Sequence, residues 1–261
     1  MAINSPSAAA NAGTMSEAEW AARVDLAAAY RLAAIYGWTD LNNTHFSVRV
    51  PGTDDEFLLN PFGLLFDEIT ASSLIKVDRE GNILGDSDYP ANPAGFVIHG
   101  AIHTLARNAN AVIHTHSRFG TAVAMQEQGL LPAGQKALTL GAWVGYHDYE
   151  GPATDADEQP RIVKDLGDKR ILILRNHGLL TVGDTVGQAF VWMYRIENAC
   201  RIQIDAMSGG ARLQPLSEAT RARTVEQGRR MYGKGGFIEV GREWPALVRQ
   251  LERLDGMGYK D

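Results

Sequence analysis

The stretch Val112-Ile113-His114-Thr115-His116 sets the first expectations about both fold and chemistry. Its β-branched apolar residues predict a buried strand, and side chains at positions i and i+2 of a strand lie on the same face. Both imidazoles would therefore point into one space, which is a spacing typical of metal ligands. Histidine also serves as a hydrogen-bonded core residue, and the pair alone does not decide between these two interpretations.

A third candidate ligand, His177, follows a second apolar run, RILIL at 170–174. It lies in Asn176-His177-Gly178, where glycine allows a tight turn at the strand end that usually carries the sites of α/β sheets. Three neutral imidazoles leave at least one coordination position of a divalent ion open, as catalytic sites require. We therefore predict a metalloenzyme in which His114, His116 and His177 bind the metal.

Length and composition narrow the class of protein. The chain has 261 residues, of which 45% are hydrophobic and 21% charged, so it is long enough for one large α/β domain. Its net charge of −6 argues against nucleic acid or an anionic membrane as the main partner, because both select basic surfaces. The single cysteine, Cys200, excludes an intramolecular disulfide. Without a recognisable signal peptide or membrane span, we expect a cytoplasmic protein.

Sequence periodicity predicts alternating helices and strands. Residues 1–14 are rich in Ala, Ser, Asn and Gly and predict a flexible tail, followed by a single domain over 15–261 with a helical C-terminal extension. Helices are predicted over 16–36, 94–107, 119–125, 185–207 and 243–254. Strands are predicted over 46–50, 57–59, 74–77, 82–84, 112–116, 137–140, 143–144, 170–174 and 179–182.

The histidine motifs HTHS at 114–117 and RNHGLLTVG at 175–183 resemble those of the class II aldolase/adducin family. The resemblance covers residues 16 to 215 and is closer to the adducin-head branch, in a bacterial-type short form, than to the sugar-phosphate aldolases. It implies a three-layer α/β/α sandwich around a central mixed β-sheet, a divalent metal on three histidines, and a homo-oligomer, commonly a tetramer. It extends through 41–47 (LNNTHFS), 61–65 (PFGLL), 70–74 (TASSL), 94–96 (AGF) and 146–149 (YHDY).

Two positions depart from the aldolase pattern. Aldolases of this family place an acidic residue, their general acid/base, nineteen positions before the first histidine, where this chain has Gly95. They bind the substrate phosphate with two serines just before that position, where this chain has Pro93 and Ala94. Because phosphate binding needs donors that converge on its oxygens, we predict a substrate without phosphate. The predicted substrate-binding residues are His45, Gly63 and Gly95.

Proton transfer at this site needs a group other than the missing carboxylate. The densest cluster of titratable side chains spans 146–150, and we predict catalytic roles for His147, Tyr146 and Tyr149. A polar loop with half-buried tyrosines is the competing interpretation. His45 and His99 are further candidates for proton transfer.

Two other polar patterns have structural interpretations. His99 and His103, at i and i+4, share a helix face as a zincin metal pair does, but the glutamate of that motif is missing. We expect one of the two to be buried and the other to lie near the surface. The acidic run Asp155-Ala156-Asp157-Glu158 is expected to carry solvated loop charges.

Three functions fit these observations. The first is a metal-dependent lyase that cleaves a C–C bond in a small, non-phosphorylated hydroxy or keto carbonyl substrate, with Zn²⁺ as the expected ion and Fe²⁺ or Mn²⁺ as alternatives. The second is a mononuclear non-haem Fe(II) oxygenase that decarboxylates an aryl-keto acid oxidatively. The third is a non-catalytic adducin-like binding module, although no basic tail of the adducin type is visible in this acidic chain.

Overall fold

A computed structural model describes residues 15–106, 109–152 and 156–261, so the predicted tail over 1–14 lies outside the described residues. The strands in these ranges are β1 (His45–Arg49), β2 (Phe57–Leu59), β3 (Ile75–Val77), β4 (Ala111–Thr115), β5 (Val144–His147), β6 (Ile171–Leu174) and β7 (Gly178–Gly183). The α-helices are α1 (Glu17–Ile35), α2 (Pro93–Leu105), α3 (Arg118–Ala124), α4 (Gln135–Leu140), α5 (Gln159–Leu166), α6 (Val186–Ser208), α7 (Glu218–Tyr232), α8 (Phe237–Val240) and α9 (Glu243–Leu254).

The strands form one mixed sheet in the order β3-β2-β1-β4-β7-β6-β5. β5 and β6 run parallel, whereas the neighbouring pairs from β3 to β6 are antiparallel. β4 lies at the centre between β1 and β7, so a residue on β4 has a partner on each side. His114 is opposite His45 on β1 and Leu180 on β7.

Helices cover both faces of this sheet. Successive side chains of a strand point to opposite faces, and β4 and β6 therefore contribute alternate residues to two separate apolar clusters. Ile113 and Ile173 pack in the cluster that includes α1 and α6, whereas Val112 and Leu172 pack in the cluster that includes α2 and α5. The predicted α/β class, a three-layer α/β/α sandwich with a central mixed sheet, is confirmed.

Histidines replace part of the apolar core between α2 and the sheet. His99 and His103 are one helical turn apart on α2 and are only 3% and 2% exposed. The prediction that one of them lies near the surface is wrong. Their i, i+4 spacing places both on the helix face that meets β1, where each has a hydrogen-bond partner.

Most predicted elements are present, with local differences. Residues 137–140, predicted as a strand, lie in helix α4, because a short apolar run fits either structure and here packs against α6 and α7. The strand predicted at 143–144 begins at Val144 and extends to His147. At 82–84 the structure has one bridge, between Ile83 and Val77, in place of a strand.

The C-terminal region is helical, as predicted. α9 packs on α1 and α6, and Trp244 fits against Gly187, where a Cβ atom would lie 2.4 Å from the indole Cγ. The extent of a single domain over 15–261 stays a prediction. Within the described part of the chain, no helix combines the length and apolarity needed to cross a membrane.

Candidate metal centre

The strand order brings His177 next to His114 and His116, although His116 precedes it by 61 residues. His114 lies in β4, His116 follows directly after that strand, and His177 lies in the connection between β6 and β7. The Nε2 atom of His116 is 3.0 Å from Nε2 of His114 and 2.9 Å from Nε2 of His177. We call these three residues the histidine triad. Among the described residues, no other group of three histidine, cysteine or acidic side chains converges in this way.

The turn that presents His177 depends on two backbone features. Asn176 adopts a left-handed conformation with φ 56°, which asparagine tolerates better than most residues. Gly178 approaches β4 so closely that a Cβ atom there would lie 2.4 Å from the carbonyl oxygen of Thr115. A larger residue at 178 would therefore push His177 away from the other two histidines.

Hydrogen bonds define the proton positions in two rings of the triad. His114 Nδ1 is 2.9 Å from the carbonyl oxygen of Leu179, and His116 Nδ1 is 2.9 Å from a carboxylate oxygen of Asp40. Both oxygens only accept hydrogen bonds, so each Nδ1 carries a proton and, in a neutral ring, each Nε2 carries a lone pair. Two lone pairs then face each other across 3.0 Å. A cation bound by both nitrogens removes this repulsion.

The environment of the triad favours neutral imidazoles. Burial is the main cause that lowers the pKa of His114 well below its usual range. Burial is also the main cause that lowers the pKa of His177 to about 4. Neutral imidazole is the form that binds metals, so these two ligands need not lose a proton at neutral pH.

The donor set of the triad fits a divalent transition-metal ion. Imidazole nitrogens suit zinc, iron, nickel and copper, and three of them leave coordination positions for water or substrate. Asp40 accepts the Nδ1–H of His116, which is the outer hydrogen bond that metal-binding histidines usually make. The residues present therefore fit the metal that the family resemblance implies.

The structure separates the three predicted catalytic residues. Tyr146 accepts a hydrogen bond from the Leu130 N–H at 3.0 Å, and the guanidinium of Arg175 lies 4.6 Å from its ring centroid. Its side chain packs against the core that includes α6, whereas Tyr149 lies beside the triad, with its ring centroid 6.5 Å from that of His177. Tyr149 is 51% exposed.

His147, the third predicted catalytic residue, lies between two carboxylates. Its Nδ1 is 2.8 Å from Asp165 and its Nε2 is 3.1 Å from Glu158. Because both ring nitrogens are occupied, neither is available to take a proton from a substrate. A catalytic role for His147, Tyr146 or Tyr149 stays a prediction.

Glu158 differs from the sequence-based expectation of a solvated acidic run. It is only 8% exposed because its carboxylate turns inward to His147, so the prediction of a solvated charge is wrong there. Asp155, at the start of the same run, lies outside the described residues. A local acidic composition does not show which carboxylate will find a buried partner.

Two of the predicted substrate-binding residues lie together beside the triad. The ring centroid of His45 is 5.2 Å from that of His114, and a Cβ atom on Gly95 would lie 2.7 Å from Cδ2 of His45. Gly63 adopts φ 135° and packs against the ring of Tyr89. Substrate binding by these three residues stays a prediction.

A buried chain of hydrogen bonds leads away from His45. His45 Nδ1 is 2.9 Å from His99 Nε2, and His99 Nδ1 is 2.6 Å from the hydroxyl of Ser47. That hydroxyl is also 2.6 Å from His103 Nε2, and His103 Nδ1 is 3.0 Å from the carbonyl oxygen of Ala109. We call His45, His99, Ser47 and His103 the buried histidine chain. Burial lowers the pKa of His45 and of His103 to about 3.

Asp40 and Ser47 belong to the site but were not predicted from the sequence. Asp40 meets His116 across 76 positions of sequence, and no local pattern signals such a contact. Ser47 left a usable signal, because it lies two residues after His45 on a predicted strand and therefore on the same face. The i, i+4 pair His99 and His103 on α2, which bonds to Ser47, was also visible in the sequence.

Known proteins are similar to this chain in sequence and in fold. The family model described as Class II Aldolase and Adducin N-terminal domain matches residues 24–204. An aldolase II superfamily protein from Pseudomonas syringae is 50% identical, with a TM-score of 0.89 over 95% of this chain and 98% of that one. The L-fuculose 1-phosphate aldolase from Glaciozyma antarctica PI12 is 30% identical, with a TM-score of 0.79 over 94% of this chain and 93% of that one. Alpha-adducin of Rattus norvegicus is 40% identical over 91% of this chain, which spans 33% of that protein.

Proposed function

Because the chain belongs to the class II aldolase and adducin family, we propose that it is a metal-dependent lyase acting on a small, non-phosphorylated hydroxy or keto carbonyl compound. Enzymes of this family are typically metal-dependent lyases. One observation carries the proposal for this member: the Nε2 lone pairs of His114 and His116 face each other across 3.0 Å, with Nε2 of His177 beside them. Between neutral rings this arrangement is repulsive, and a cation bound by both nitrogens removes the repulsion.

We assign the metal to His114, His116 and His177, with Zn²⁺ as the expected ion and Fe²⁺ or Mn²⁺ as alternatives. A divalent ion held there would supply Lewis acidity toward a carbonyl group and toward negative charge that develops next to it. Asp40 orients the ring of His116 through its Nδ1–H and increases the basicity of the ligating nitrogen.

The side chains around the triad then divide the remaining tasks. We assign His147 a positioning role, because Asp165 and Glu158 hold its ring from both sides. This ring anchors the end of β5 just before Tyr149. The ring of Tyr149 lies beside His177 and is exposed, which supports a proposed contact with the substrate. We retain Tyr149 as the proposed proton-transfer residue on that side of the site. The hydroxyl of Tyr146 is engaged with the Leu130 N–H, which favours a structural role.

The proposed substrate differs from that of the Glaciozyma antarctica relative, whose name includes a sugar phosphate. Position 95 is a glycine packed against the ring of His45, and the two preceding residues are Pro93 and Ala94. Proline has no backbone N–H and alanine has no side-chain donor, so neither supplies the hydrogen bonds that phosphate recognition requires. We therefore propose a carboxylate or neutral polar group in place of the phosphate.

A turnover experiment tests this proposal. Zinc-loaded protein is incubated with paired hydroxy-keto acids and ketose phosphates, and the carbonyl products are followed by NMR, with the His114→Ala variant as the control. We expect cleavage of a non-phosphorylated substrate that the variant does not catalyse. Folded, metal-loaded protein that cleaves only the phosphorylated compounds, or none at all, would contradict the proposal.

A binding module is the second candidate, because alpha-adducin is 40% identical to this chain. The same three histidines distinguish the two functions. If a folded variant with alanine at 114, 116 and 177 keeps the function of the protein in cells, the binding module is supported. If that variant loses the function, the lyase is supported.

We also propose that the protein is a cytoplasmic homo-oligomer, in line with the family resemblance. A tetramer is the expected assembly. Sedimentation equilibrium of the purified protein, compared with the chain mass of 28.4 kDa, measures this directly.

A further inference from the structure

The hydrogen bonds of the buried histidine chain all run in one donor-to-acceptor direction, which is determined at the end farthest from the histidine triad. The carbonyl oxygen of Ala109 only accepts hydrogen bonds, so the His103 nitrogen 3.0 Å away, Nδ1, carries the proton. In the neutral ring, Nε2 of His103 is then an acceptor. The Ser47 hydroxyl, 2.6 Å from that nitrogen, must therefore donate its hydrogen to it.

The proton positions of the next two rings follow from that of His103. The Ser47 hydroxyl has given its single hydrogen to His103, so its oxygen accepts from Nδ1 of His99, 2.6 Å away. His99 then carries a lone pair on Nε2 and accepts from Nδ1 of His45, 2.9 Å away. Burial lowers the pKa of His99 well below its usual range and that of His103 to about 3, so these two rings have the neutral forms needed here.

At the end of the buried histidine chain that lies beside the triad, Nε2 of His45 is therefore unprotonated. His45 has its proton on Nδ1, which leaves a lone pair on Nε2. This nitrogen would lie 3.0 Å from a Cβ atom on Gly95, so it occupies the space that any side chain at 95 would enter. The ring of His45 lies next to that of His114, with the two ring centroids 5.2 Å apart. Nε2 of His45 is thus a hydrogen-bond acceptor beside the triad, in a protein that has glycine rather than a carboxylate at position 95.

We propose that Ser47, His99 and His103 are positioning residues that hold His45 in its Nδ1–H tautomer, so that Nε2 accepts a hydrogen bond from a hydroxyl group of the substrate. A substrate that donates a hydroxyl hydrogen is favoured over one that offers only an acceptor there. The identity of the hydrogen-bond donor rests on the proposed lyase function. The tautomer of His45 does not, because it follows from the hydrogen bonds of the protein alone.

NMR of the full-length protein labelled with ¹⁵N-histidine tests the tautomer directly, with and without Zn²⁺. The signal of His45 is assigned by its loss in a His45→Gln variant. We expect a protonated Nδ1 and an unprotonated Nε2 in the wild-type protein under both conditions. A protonated Nε2 on His45 would overturn the proposal even if the protein proves to be a lyase.

Variants at Ser47 test the role of the chain. Ser47→Ala breaks it at the centre, and we expect a mixture of His45 tautomers with kcat lower by about tenfold and metal content unchanged. Ser47→Thr keeps the hydroxyl and restores the single tautomer. Thr181→Val, which removes a buried hydroxyl that donates to the Ala189 carbonyl from β7, is the matched control and leaves the His45 signal unchanged.

The outcomes separate this proposal from the lyase proposal. An unchanged His45 tautomer in folded Ser47→Ala protein overturns the positioning role, whatever the activity. The expected tautomers in a protein without lyase activity support the positioning role and count against the lyase function. If Ser47→Ala does not fold, the wild-type spectrum and the Ser47→Thr variant still decide the tautomer.

Discussion

Six of the seven histidines form two groups that look alike by distance and differ in their protons. In the histidine triad and in the buried histidine chain, ring nitrogens approach one another to between 2.9 and 3.0 Å. In the buried histidine chain, every hydrogen bond has one donor and one acceptor, and the last acceptor is the Ala109 carbonyl oxygen. In the triad, the contact between His114 and His116 has two acceptors, because both protons are used elsewhere.

The two groups differ in the hydrogen-bond partners of their other ring nitrogens rather than in the distance between the rings. The Leu179 carbonyl and the Asp40 carboxylate each accept a hydrogen bond from the Nδ1–H of a triad histidine, which leaves the Nε2 lone pairs directed toward one point. Ser47 instead supplies a hydroxyl that both donates and accepts, which lets three buried imidazoles remain neutral and paired. We infer that the histidine triad needs a cation, whereas all contacts in the buried histidine chain are satisfied by hydrogen bonds without one.

Removing one ring from each group gives the largest expected contrast. We expect His114→Ala to lower bound zinc from about one equivalent to a small fraction and to lower activity by at least about a hundredfold, since a three-ligand site loses a ligand that holds its ion. His103→Gln is the matched variant from the buried chain and should keep its zinc. Metal analysis of both proteins after dialysis is the measurement.

Equal metal loss in the two variants would contradict the division into two groups. So would full retention of zinc by folded His114→Ala protein. Circular dichroism of each variant confirms that the comparison is made between folded proteins.

Acid should strongly destabilise the folded protein through the buried histidine chain. The pKa values of His45 and His103 are about 3 in the folded protein, below the ordinary histidine value of 6.5. The unfolded state therefore binds more protons below pH 6.5, and the stability present above that pH is lost as the pH falls toward 3. Each such group contributes a slope of up to about 1.4 kcal/mol per pH unit.

Urea unfolding of the metal-free protein between pH 7 and pH 4 measures this slope. Replacing His103 by glutamine removes one titrating group and should make the dependence shallower by about that amount in this range. The same slope in the wild-type and His103→Gln proteins would show that this ring is not held neutral by burial.

Asp40 tests the outer support of the triad. Asp40→Asn keeps the shape but weakens the acceptor for the His116 Nδ1–H, so we expect zinc affinity to fall by about 10- to 100-fold. The dissociation constant from competition with a zinc chelator is the measurement. Asp67→Asn, a change at an exposed acidic residue, is the control. Unchanged affinity in Asp40→Asn would remove Asp40 from the site.

Gly95 tests the near end of the buried chain without touching a triad ligand. A Cβ atom at this position would lie 2.7 Å from Cδ2 of His45, so Gly95→Ala must displace that ring. We expect kcat to fall by about tenfold while zinc content stays the same. Gly134→Ala is the matched control, because a Cβ atom there meets nothing within 4 Å. Full activity in Gly95→Ala would show that the position of His45 is unimportant.

Local patterns in the sequence predicted an α/β chain and the convergence of the triad, whereas the three-layer sandwich with a mixed sheet was predicted from the family resemblance. Apolar runs that end in histidine, and a glycine turn after one of them, place His114, His116 and His177 at neighbouring strand ends. Residues 137–140 were assigned wrongly because four apolar residues fit a strand or a buried helix, and packing against α6 and α7 decides.

The partners of the histidines were harder to predict. Asp40, Glu158 and Ala109 act through single contacts that depend on how loops fold over the sheet. Both members of the pair on α2 are buried because β1 offers a serine to them, and an i, i+4 spacing does not reveal what the facing strand contributes. Predicting proton positions therefore required the tertiary structure.

Anomalous diffraction from crystals of the protein purified with zinc tests the central claim most directly. Data collected at the zinc edge should show one ion bound to Nε2 of His114, His116 and His177 at about 2.0–2.1 Å, with at least one further position open, and no ion in the buried chain. An ion bound between His45 and His99, or a triad without zinc in crystals of active protein, would contradict the account.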